Sequence, residues 1–557
     1  MSESEAKTGA RSGLDHARSD PRGRRDTPPI GSDPILSVKR LSLSIGSVSI
    51  LENVTLLLGS GEILGFVGES GSGKSMTALA VMGLLPVAAQ TTGAVHLGGR
   101  SLLGLPDQAM RAVRGRDASM IFQEPMTALN PLRSIGDQVA ETVWIHTRAS
   151  RAEALERARA MLDRVGLGRF DLGTLPHQLS GGQRQRVMIA MAVALKPKLL
   201  IADEPTTALD MTTQAQILSL LQGLVAEDGM AMMLITHDLA VVSGVADHVA
   251  IMERGRVVEV GPTRAVFAAQ DHAYTRNLFA ASTHQPVRYP VLEDEVVLRV
   301  KRMKRSYRQP RRSFFGAPGE VEAVKGVSFE LRRGETLGLV GESGSGKSTL
   351  ARALLGLETV SGGDITLHGR SIALGMRPED RRRIGVVFQD PYGSFNPRHR
   401  VERLICEPFH LLETPPTGAE RTKRVALALE EVGLRAKDAH KYIHQFSGGQ
   451  RQRIAIARAL MVRPDVLVLD EAVSALDVSI RAQVLDLLAD LTGRHRLSTL
   501  FISHDLSVVR AISDRVLVMK EGKIVEQGLA EHIFQAPRHA YTRALLAAAP
   551  KMTEERG

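Results

Sequence analysis

The chain has 557 residues, which is too many for a single hydrophobic core, and its 43% apolar and 24% charged residues exclude disorder along the whole chain. Its formal net charge of +10 is compatible with nucleic acid, anionic lipid or nucleotide phosphates as partners and does not choose among them. Cys406 is the only cysteine, which excludes an intramolecular disulfide and predicts that the chain binds no iron-sulfur cluster.

The beginning of the chain has the composition of neither a folded domain nor an export signal. Residues 1–34 are polar and rich in Gly, Pro, Ser and Arg, so we expect them to be disordered, and they lack the apolar run of a signal peptide. No later run approaches the roughly 18 to 20 uncharged apolar residues of a membrane-spanning helix. We therefore expect no transmembrane helix in this chain.

The remainder of the sequence contains an internal repeat of two units. GESGSGKS occurs at residues 68–75 and again at 341–348, and the motifs that follow recur in the same order at one common spacing. We expect a first domain over residues 35–282, a linker over 283–294, a second domain over 295–550 and a tail over 551–557.

In each repeat, apolar strands alternate with helices. A strand (EILGFVG, ETLGLVG) runs into the glycine-rich loop and a helix follows it; a second strand (KLLIADE, VLVLDE) and a third (MMLITHD, TLFISHD) come later. This order predicts an α/β fold with a mainly parallel sheet covered by helices on both faces. Residues 124–178 and 390–445 lack such strands, and we interpret them as helical insertions.

The basic stretch Arg299–Arg312 has two interpretations. It reads RVKRMKRSYRQPRR and contains no acidic residue. It is either a solvated strand edge and loop or a contact for phosphate or lipid, since charge runs alone are weak evidence.

The two glycine-rich loops have the pattern of a phosphate cradle. Glycines let backbone N–H groups turn around phosphate oxygens, and the helix that follows adds its positive end. The lysine would reach the β and γ phosphates, and the serine after it would ligate Mg²⁺. The residues assigned to nucleotide binding here are Gly68, Ser70, Gly71, Gly73, Lys74, Ser75, Met76, Gly341, Ser343, Gly344, Gly346, Lys347, Ser348 and Thr349.

An acidic pair ends the second strand of each repeat. Asp203 and Asp470 close an apolar run, where a buried carboxylate is costly unless it meets a cation such as Mg²⁺ or its water shell. The adjacent Glu204 and Glu471 would polarise the attacking water. Without the glycine-rich loops upstream, such a pair is more often just a strand meeting its turn.

Histidine and glutamine complete the predicted catalytic set. His237 and His504 follow the third strand and would contact the γ phosphate, and Gln123 and Gln389 end another apolar run, where an amide could touch both Mg²⁺ and water. The predicted catalytic residues are Glu204, Glu471, His237, His504, Gln123 and Gln389. The predicted metal ligands are Ser75, Gln123, Asp203, Ser348, Gln389 and Asp470.

Two near-identical octapeptides predict a further anion site. LSGGQRQR at residues 179–186 and FSGGQRQR at 446–453 each open a helix with Ser-Gly-Gly, which leaves N–H groups exposed. Each domain already has a cradle for its own nucleotide. The residues assigned here are Ser180, Gly181, Gly182, Gln183, Ser447, Gly448, Gly449 and Gln450.

These motifs, in this order and together with the Ala-Leu-Asp runs at 208–210 and 475–477, resemble the ATP-binding-cassette superfamily over residues 35–550, twice over. The resemblance implies two P-loop ATPase cassettes that face each other head to tail, with ATP and Mg²⁺ as cofactors. Each Ser-Gly-Gly-Gln would cap the nucleotide of the opposite loop, pairing Lys74 with Ser447 and Lys347 with Ser180. Both sites should hydrolyse ATP, because neither repeat has lost a catalytic residue type.

Short motifs narrow the resemblance to the peptide, opine and nickel importer ATPases: ALNP at 128–131, SFNP at 394–397, and the tails HAYTRNLFAAS and HAYTRALLAAAP. This implies two transmembrane permease subunits and a solute-binding protein as partners, no nucleic acid, and a peripheral place on the cytoplasmic face of the inner membrane. The permeases would dock on the insertions, at residues 132–145 and 398–411. The transported substrate stays open among dipeptide, longer peptide, glutathione, opine, peptide antibiotic and nickel.

Two other functions compete. A soluble tandem-cassette ATPase acting on ribosomes or nucleic acid would profit from the positive charge, but such proteins normally carry a long charged helical linker, and the linker here is short. An exporter motor is disfavoured because exporters often fuse cassette to membrane helices.

The sequence departs from the family pattern in three places. Many members carry a cysteine cluster that this chain lacks. Ala472 stands where proline is usual, and Ile45 stands where an aromatic residue normally stacks on adenine. In the second cassette Tyr307, Phe314 and Phe315 are candidates for that aromatic.

Overall fold

The computed structural model describes residues 34–122, 128–207, 209–288, 293–308, 319–390, 393–474, 476–550 and 552. Gln123, Phe314 and Phe315 lie outside the described residues, as do nearly all of the two terminal segments. Among the described helices, none is both long and apolar enough to cross a membrane.

The first cassette contains ten strands and nine α-helices among its described residues. The strands are β1 (Leu36–Ile45), β2 (Val48–Leu58), β3 (Ile63–Val67), β4 (Ala89–Leu97), β5 (Arg100–Ser101), β6 (Ala118–Ile121), β7 (Leu199–Asp203), β8 (Ala231–Thr236), β9 (His248–Glu253) and β10 (Arg256–Pro262). The helices are α1 (Lys74–Val81), α2 (Asp107–Arg111), α3 (Ile135–His146), α4 (Arg151–Arg164), α5 (Gly181–Val193), α6 (Met211–Asp228), α7 (Leu239–Val245), α8 (Thr263–Ala269) and α9 (Ala273–Ser282).

The second cassette repeats this series. Its strands are β11 (Val296–Arg308), β12 (Glu320–Arg332), β13 (Thr336–Val340), β14 (Gly362–Leu367), β15 (Arg370–Ser371), β16 (Ile384–Val387), β17 (Val466–Asp470), β18 (Ser498–Ile502), β19 (Arg515–Lys520) and β20 (Lys523–Leu529). Its helices are α10 (Lys347–Leu354), α11 (Pro378–Arg382), α12 (Val401–Ile405), α13 (Gly418–Glu431), α14 (Gly448–Leu460), α15 (Val478–His495), α16 (Leu506–Ile512), α17 (Ala530–Gln535) and α18 (Ala540–Ala548). Short 3₁₀ turns join α12 to α13 and α13 to α14.

Each cassette has a six-stranded sheet in the same strand order. In the first it runs β10-β9-β3-β8-β7-β6, with parallel pairing throughout except for the antiparallel edge strand β10. In the second it runs β20-β19-β13-β18-β17-β16 with the same directions. The predicted α/β fold with a mainly parallel sheet is confirmed.

A second, antiparallel sheet of four strands accompanies each main sheet, in the order β2-β1-β4-β5 and β12-β11-β14-β15. The sequence analysis did not predict it. Its strands are buried on one side only, so their apolar residues alternate with polar ones and no continuous apolar run marks them.

Close packing fixes the strand that leads into each glycine-rich loop. All five residues of β3 are buried, and a Cβ added at Gly65 would lie 2.5 Å from Val242 Cγ1 on α7. Gly338 on β13 has the same relation to Val509 on α16, at 2.6 Å. The glycines therefore let one helix lie against the strand that positions the loop.

The insertion of the first cassette is helical, as predicted, and its helices begin at side-chain caps. Ser134 accepts a hydrogen bond from Asp137 N at the start of α3, and Ser150 forms a capping box with Glu153 at the start of α4. The second insertion is built from the short α12, the longer α13 and the 3₁₀ turns.

The described part of the basic stretch, up to residue 308, belongs to β11. This strand is paired on both sides, with β12 and β14, so it lies inside its sheet and not at the edge. Arg299 pairs with Glu330 at 2.6 Å, and Arg305 pairs with Glu358 at 3.2 Å. These two basic side chains therefore have acidic partners from neighbouring segments of their own cassette.

The two cassettes lie against each other through their terminal helices. The last helix of the first cassette, α9, packs on α15, and the last helix of the second, α18, packs on α6. His284 Nε2 lies 2.7 Å from Asp486 Oδ1 across this junction. Each C-terminal segment is thus held by the opposite cassette.

Candidate functional site

The glycine-rich loops join β3 to α1 and β13 to α10, as the sequence predicts. The glycine before each lysine is the residue that starts the helix, and it has a left-handed backbone, with φ of 110° at Gly73 and 105° at Gly346. A Cβ at Gly73 would lie 2.6 Å from Leu51 Cδ2, and one at Gly346 would lie 2.5 Å from Ala323 O. Both backbone conformation and space therefore require glycine at these two turns.

The lysine of each loop is buried and held by the loop itself. Lys74 Nζ donates to Gly68 O at 2.7 Å and to Glu69 O at 2.8 Å, and Lys347 Nζ donates to the equivalent carbonyls at the same distances. Burial lowers the pKa of both ammonium groups, against the raising effect of nearby carboxylates. Two fixed cations at the N-termini of helices are suited to hold phosphate.

The strand-ending aspartates lie beside these loops. Burial raises the pKa of Asp203, whose carboxylate also accepts a hydrogen bond from Ser75. Burial likewise raises the pKa of Asp470, and the charge of Glu471 adds to the effect. Asp470 Oδ1 is buried and has no hydrogen-bond partner among the described residues. An unpartnered carboxylate oxygen beside a phosphate cradle fits a hard divalent cation such as Mg²⁺, which prefers oxygen ligands.

Glu204 and His237 form a pair in the first cassette. His237 Nδ1 lies 3.1 Å from Glu204 Oε1, and Thr207 Oγ1 donates to Glu204 Oε2 at 2.9 Å. Burial opposes ionisation, but the hydrogen bonds and charge of His237 outweigh it and hold the pKa of Glu204 below its ordinary value. Burial also opposes ionisation of His237, whose pKa is nevertheless raised by Glu204.

The second cassette has the same pair, and here the glutamine predicted from the sequence is among the described residues. His504 Nδ1 lies 3.3 Å from Glu471 Oε2, and Gln389 Nε2 donates to that oxygen at 2.7 Å. Burial again opposes ionisation of both groups, but their hydrogen bond and opposite charges outweigh it. The pKa of Glu471 is therefore lowered and that of His504 is raised. The structure therefore brings predicted Gln, Glu and His residues together here, and adds Thr207 to the first site.

Both glutamates adopt a left-handed backbone, with φ of 48° at Glu204 and 51° at Glu471. Such a conformation in a non-glycine residue costs of the order of 1 kcal/mol or more and persists only where the surroundings impose it. In both cassettes the left-handed residue comes directly after the buried strand. It ends the extended backbone conformation that the preceding aspartate still has.

The Ser-Gly-Gly-Gln motifs begin α5 and α14. Ser180 and Gln183 form a capping box, in which each side chain bonds the backbone of the other, and Ser447 and Gln450 do the same. The second glycine is required by packing, because a Cβ at Gly182 would lie 2.3 Å from Thr213 Cγ2. Gly449 meets Ile480 Cγ2 at 2.2 Å in the same way.

Aspartates of the Ala-Leu-Asp runs reach the opposite cassette. Ser70 N, in the first loop, donates to Asp477 Oδ1 at 2.7 Å. A cavity over the second loop is lined by Ser343, Lys347 and Glu471 and also by Leu209 and Asp210 of the first cassette. The described lining of this cavity does not include residues 180–183. The predicted pairing of each lysine with the opposite Ser-Gly-Gly-Gln motif therefore stays a prediction.

The sequence analysis gave these aspartates no role, although they occur at the common motif spacing. The signal that could have identified them is that spacing, because an acidic residue recurring in two cassettes that face each other has an equivalent place in both.

Comparison with known proteins identifies the family. A family model described as ABC transporter matches residues 51–207 and 324–474, and one described as oligopeptide/dipeptide transporter, C-terminal region, matches residues 525–557. The chain belongs to the ABC transporter family.

Curated relatives match this ABC protein over nearly its whole length. The Peptidoglycan transport ATP-binding protein YejF of Agrobacterium fabrum is 48% identical, covering 93% of this chain and 97% of the relative. The Glutathione import ATP-binding protein GsiA of Salmonella choleraesuis is 46% identical, covering 94% and 90%. A solved dimeric ATP-binding cassette in a post-hydrolysis state, bound to ADP and Pi, is 26% identical, covering 42% of this chain and 98% of that chain, with a TM-score of 0.38.

These matches confirm the predicted family and ATP hydrolysis as the activity of this ABC protein. They support the predicted motor subunit of an importer and do not favour the alternative, a tandem-cassette ATPase acting on ribosomes or nucleic acid.

The strand pairing in the two ABC cassettes shows which candidate aromatic residue of the second cassette aligns with Ile45 of the first. Leu36 pairs with Leu97 on β4, and Leu298 pairs with Leu367 on β14, so counting along the two strands places Tyr307 at the position of Ile45. The Tyr307 hydroxyl bonds the Glu358 carboxylate, and the Arg305 guanidinium lies 4.7 Å from its ring centroid. At this position of the aligned strands, the first cassette therefore has Ile45 and the second has the aromatic Tyr307.

Proposed function

We propose that this chain drives the uptake of peptides or related small solutes through two permease subunits that receive their cargo from a solute-binding protein. The match of residues 525–557 to the C-terminal region of oligopeptide/dipeptide transporters is the observation that carries the proposal. Two relatives named for peptidoglycan and for glutathione support it, because both compounds contain short peptides. The chain would work at the cytoplasmic face of the inner membrane.

Each loop holds one ATP in this proposal. Backbone N–H groups of the loop and the ammonium of Lys74 or Lys347 bind the phosphates. Asp203 with Ser75, and Asp470 with Ser348, would hold Mg²⁺, with Gln123 and Gln389 as further ligands. When bound, this ion neutralises charge on the phosphate oxygens.

Glu204 and Glu471 prepare the water for attack. Their lowered pKa keeps them ionised near neutral pH, so a carboxylate oxygen accepts a proton from the water as its oxygen attacks the γ phosphorus. The bond from that phosphorus to the bridging oxygen of ADP breaks. His237 and His504 keep the carboxylates oriented, since each lies within 3.3 Å of its glutamate.

The insertions are proposed as the docking surfaces, and they differ between the cassettes. Residues 132–145 of the first expose apolar side chains, with Leu132 at 88%, Trp144 at 60% and Ile145 at 63% exposure. In residues 398–411 of the second, the larger apolar side chains are buried or half-buried, and basic ones such as Arg398 and Arg403 are exposed. Two unlike surfaces favour two non-identical permease subunits.

Uptake of labelled di- and tripeptides tests the substrate class. Cells that lack the chain should lose uptake, and the wild-type chain should restore it, whereas the Glu204→Gln, Glu471→Gln double variant should not. Unchanged peptide uptake in the deletion strain would refute the peptide assignment.

A substitution on the apolar surface tests docking separately. Trp144→Glu should abolish peptide uptake while ATP binding by the purified chain is unchanged. Val87 is a matched control, since it is fully exposed but lies outside the insertion, and Val87→Glu should transport normally. Normal transport by Trp144→Glu would show that this surface does not dock a permease.

A further inference from the structure

The two C-terminal tails share a run, His-Ala-Tyr-Thr-Arg, that the proposed reaction does not use. It opens α9 at residue 272 and α18 at residue 539. In both tails the histidine is the N-cap, and its Nδ1 accepts a hydrogen bond from the tyrosine N–H, at 3.2 Å from Tyr274 N and 3.1 Å from Tyr541 N. The run therefore begins its helix at a fixed residue.

A glutamate of the edge strand anchors each run to the main sheet. Glu259 on β10 accepts from Thr275 Oγ1 at 2.5 Å and from His272 N at 3.3 Å. Glu526 on β20 accepts from His539 N at 3.1 Å and from Arg538 N at 2.7 Å. The start of each tail helix is thereby held against its own cassette, next to the phosphate loop.

The tyrosine of each run reaches the phosphate loop itself. Tyr274 Oη accepts a hydrogen bond from Glu69 N at 3.1 Å, and Tyr541 Oη accepts one from Glu342 N at the same distance. Burial raises the pKa of both phenols to about 12, so they stay neutral. Two independent copies of the contact, at one distance, indicate a built feature and not a chance approach.

The loop residue held in this way is the one that directs the lysine. Glu69 O accepts hydrogen bonds from Lys74 Nζ at 2.8 Å and from Ser72 N at 3.1 Å, so this residue sets both the turn of the loop and the place of the ammonium. The next amide, Ser70 N, is bound by Asp477 of the opposite cassette.

We propose that Tyr274 and Tyr541 are positioning residues for ATP binding, which hold the second residue of each phosphate loop through the tail helix. The inference rests on the proposed assignment of the loops as ATP sites. In this proposal the phenol of the tail helix holds the phosphate loop in place before the nucleotide binds. This reduces the entropic cost of ordering the loop on binding.

Equilibrium binding of ATP to the full chain tests this at one loop. In a Lys347→Ala, Glu204→Gln background, only the first loop should bind ATP and none should be hydrolysed there. Tyr274→Phe removes only the hydroxyl, and it should raise the Kd for ATP about three- to tenfold, as loss of one hydrogen bond on the loop would do. In the otherwise wild-type chain, the same change should raise KM for ATP more than it lowers kcat.

Thr275→Val is the matched control, since the Thr275 hydroxyl anchors the same helix by its hydrogen bond to Glu259 of the edge strand, whereas the Tyr274 hydroxyl bonds the loop. It should lower the melting temperature and leave the Kd for ATP within about twofold. An unchanged Kd in Tyr274→Phe, or an equal rise in both variants, would overturn the positioning role. If Tyr274→Phe does not fold, Tyr541→Phe in the mirror background, Lys74→Ala with Glu471→Gln, decides by the same criteria.

A further variant separates failure of this inference from failure of the site assignment. Lys74→Ala added to the first background should abolish ATP binding. Binding that persists there would refute the loop as the ATP site, and with it the proposed function, whatever Tyr274→Phe does.

Discussion

Replacing the catalytic glutamates with glutamine tests whether both sites of the chain hydrolyse ATP. The described contacts of Glu204 include His237 on one oxygen and Thr207 on the other. Glutamine keeps one acceptor oxygen and replaces the other with a donor amide, so one of these two contacts is kept unchanged. The fold should lose no more than about 1 kcal/mol, the usual net contribution of one hydrogen bond.

The effect on chemistry should be far larger than the effect on stability. Glutamine cannot accept the proton of the attacking water, and loss of a general base typically lowers the rate by about 10²-fold or more, equivalent to roughly 3 kcal/mol of barrier. Glu471→Gln should do the same at the second site, where Gln389 would then face a second amide in place of a carboxylate. ATP should still bind in both variants.

The assay compares the ATPase rate and the retained nucleotide of the purified full chain for Glu204→Gln, Glu471→Gln and the double variant. Independent sites leave about half the activity in each single variant, and cooperative closure stalls the whole motor in either one. Full activity with one glutamate replaced would refute the prediction that both sites hydrolyse ATP. Ala472 or Ile45 would then be the first residue to test at the inactive site.

Further changes probe pH dependence, an ion pair and a turn. Burial opposes ionisation of His237, but Glu204 outweighs it and raises the pKa of His237, so the stability this histidine gains is present below its ordinary pKa of about 6.5 and is lost as pH rises through its folded pKa; His237→Gln should flatten the fall in melting temperature above about pH 6.5. Arg164→Ala should lower the free energy of unfolding by about 1 kcal/mol, because Asp228, whose side chain is 3% exposed, loses its 2.6 Å partner and keeps Lys196 at 3.0 Å. Ala472→Pro should raise it by about 0.4 to 1 kcal/mol by restricting the unfolded chain.

Each of these three predictions has a control or a result that would contradict it. Arg424→Ala breaks an exposed pair within one helix and should change the free energy of unfolding by at most about 0.5 kcal/mol. Pro205 occupies the equivalent turn of the first cassette, where the preceding glutamate has nearly the same φ, so a destabilised Ala472→Pro would contradict the equivalence of the two turns. A steep loss of stability with pH in His237→Gln would show that another group titrates there.

The parts predicted from sequence are those that local pattern encodes. The strand, glycine-rich loop and helix around Lys74 are contiguous, and the acidic pair at Asp203 ends a run of apolar residues. Tyr274 and Glu69, however, are 205 residues apart, and Ser70 and Asp477 are 407 apart. Such contacts follow from how the elements pack; the repeats mark Tyr274 and Asp477 as recurring residues, but the sequence does not show which residue each one contacts.

The spacing of the repeated motifs did not align residues of the two cassettes where their loops differ in length. The motif spacing could not choose among three aromatic residues of the second cassette, because the glycine-rich loop and the later motifs are offset by different amounts. The pairing of β11 with β14 fixes the register of β11, so that β11 can be aligned with β1 of the first cassette. Counting along the two aligned strands places Tyr307 at the position of Ile45. The same pairing placed the described part of the basic stretch, up to residue 308, in an inner strand of a sheet, which its charge alone did not suggest.

Identical catalytic residues do not make the two sites energetically alike. Asp210 caps its own helix by accepting from Thr213 N at 3.0 Å and from Thr213 Oγ1 at 3.1 Å, whereas Asp477 makes no such cap and accepts from Ser70 across the junction. The residue that matches Thr213 is Ile480, which has no hydroxyl to hold its aspartate. Asp210 lines the cavity over the second loop while it keeps this cap, which contributes about 1 kcal/mol and has no counterpart at Asp477. The catalytic residues of the two sites are therefore matched, while the aspartates that face the opposite loop differ in their contacts by this cap.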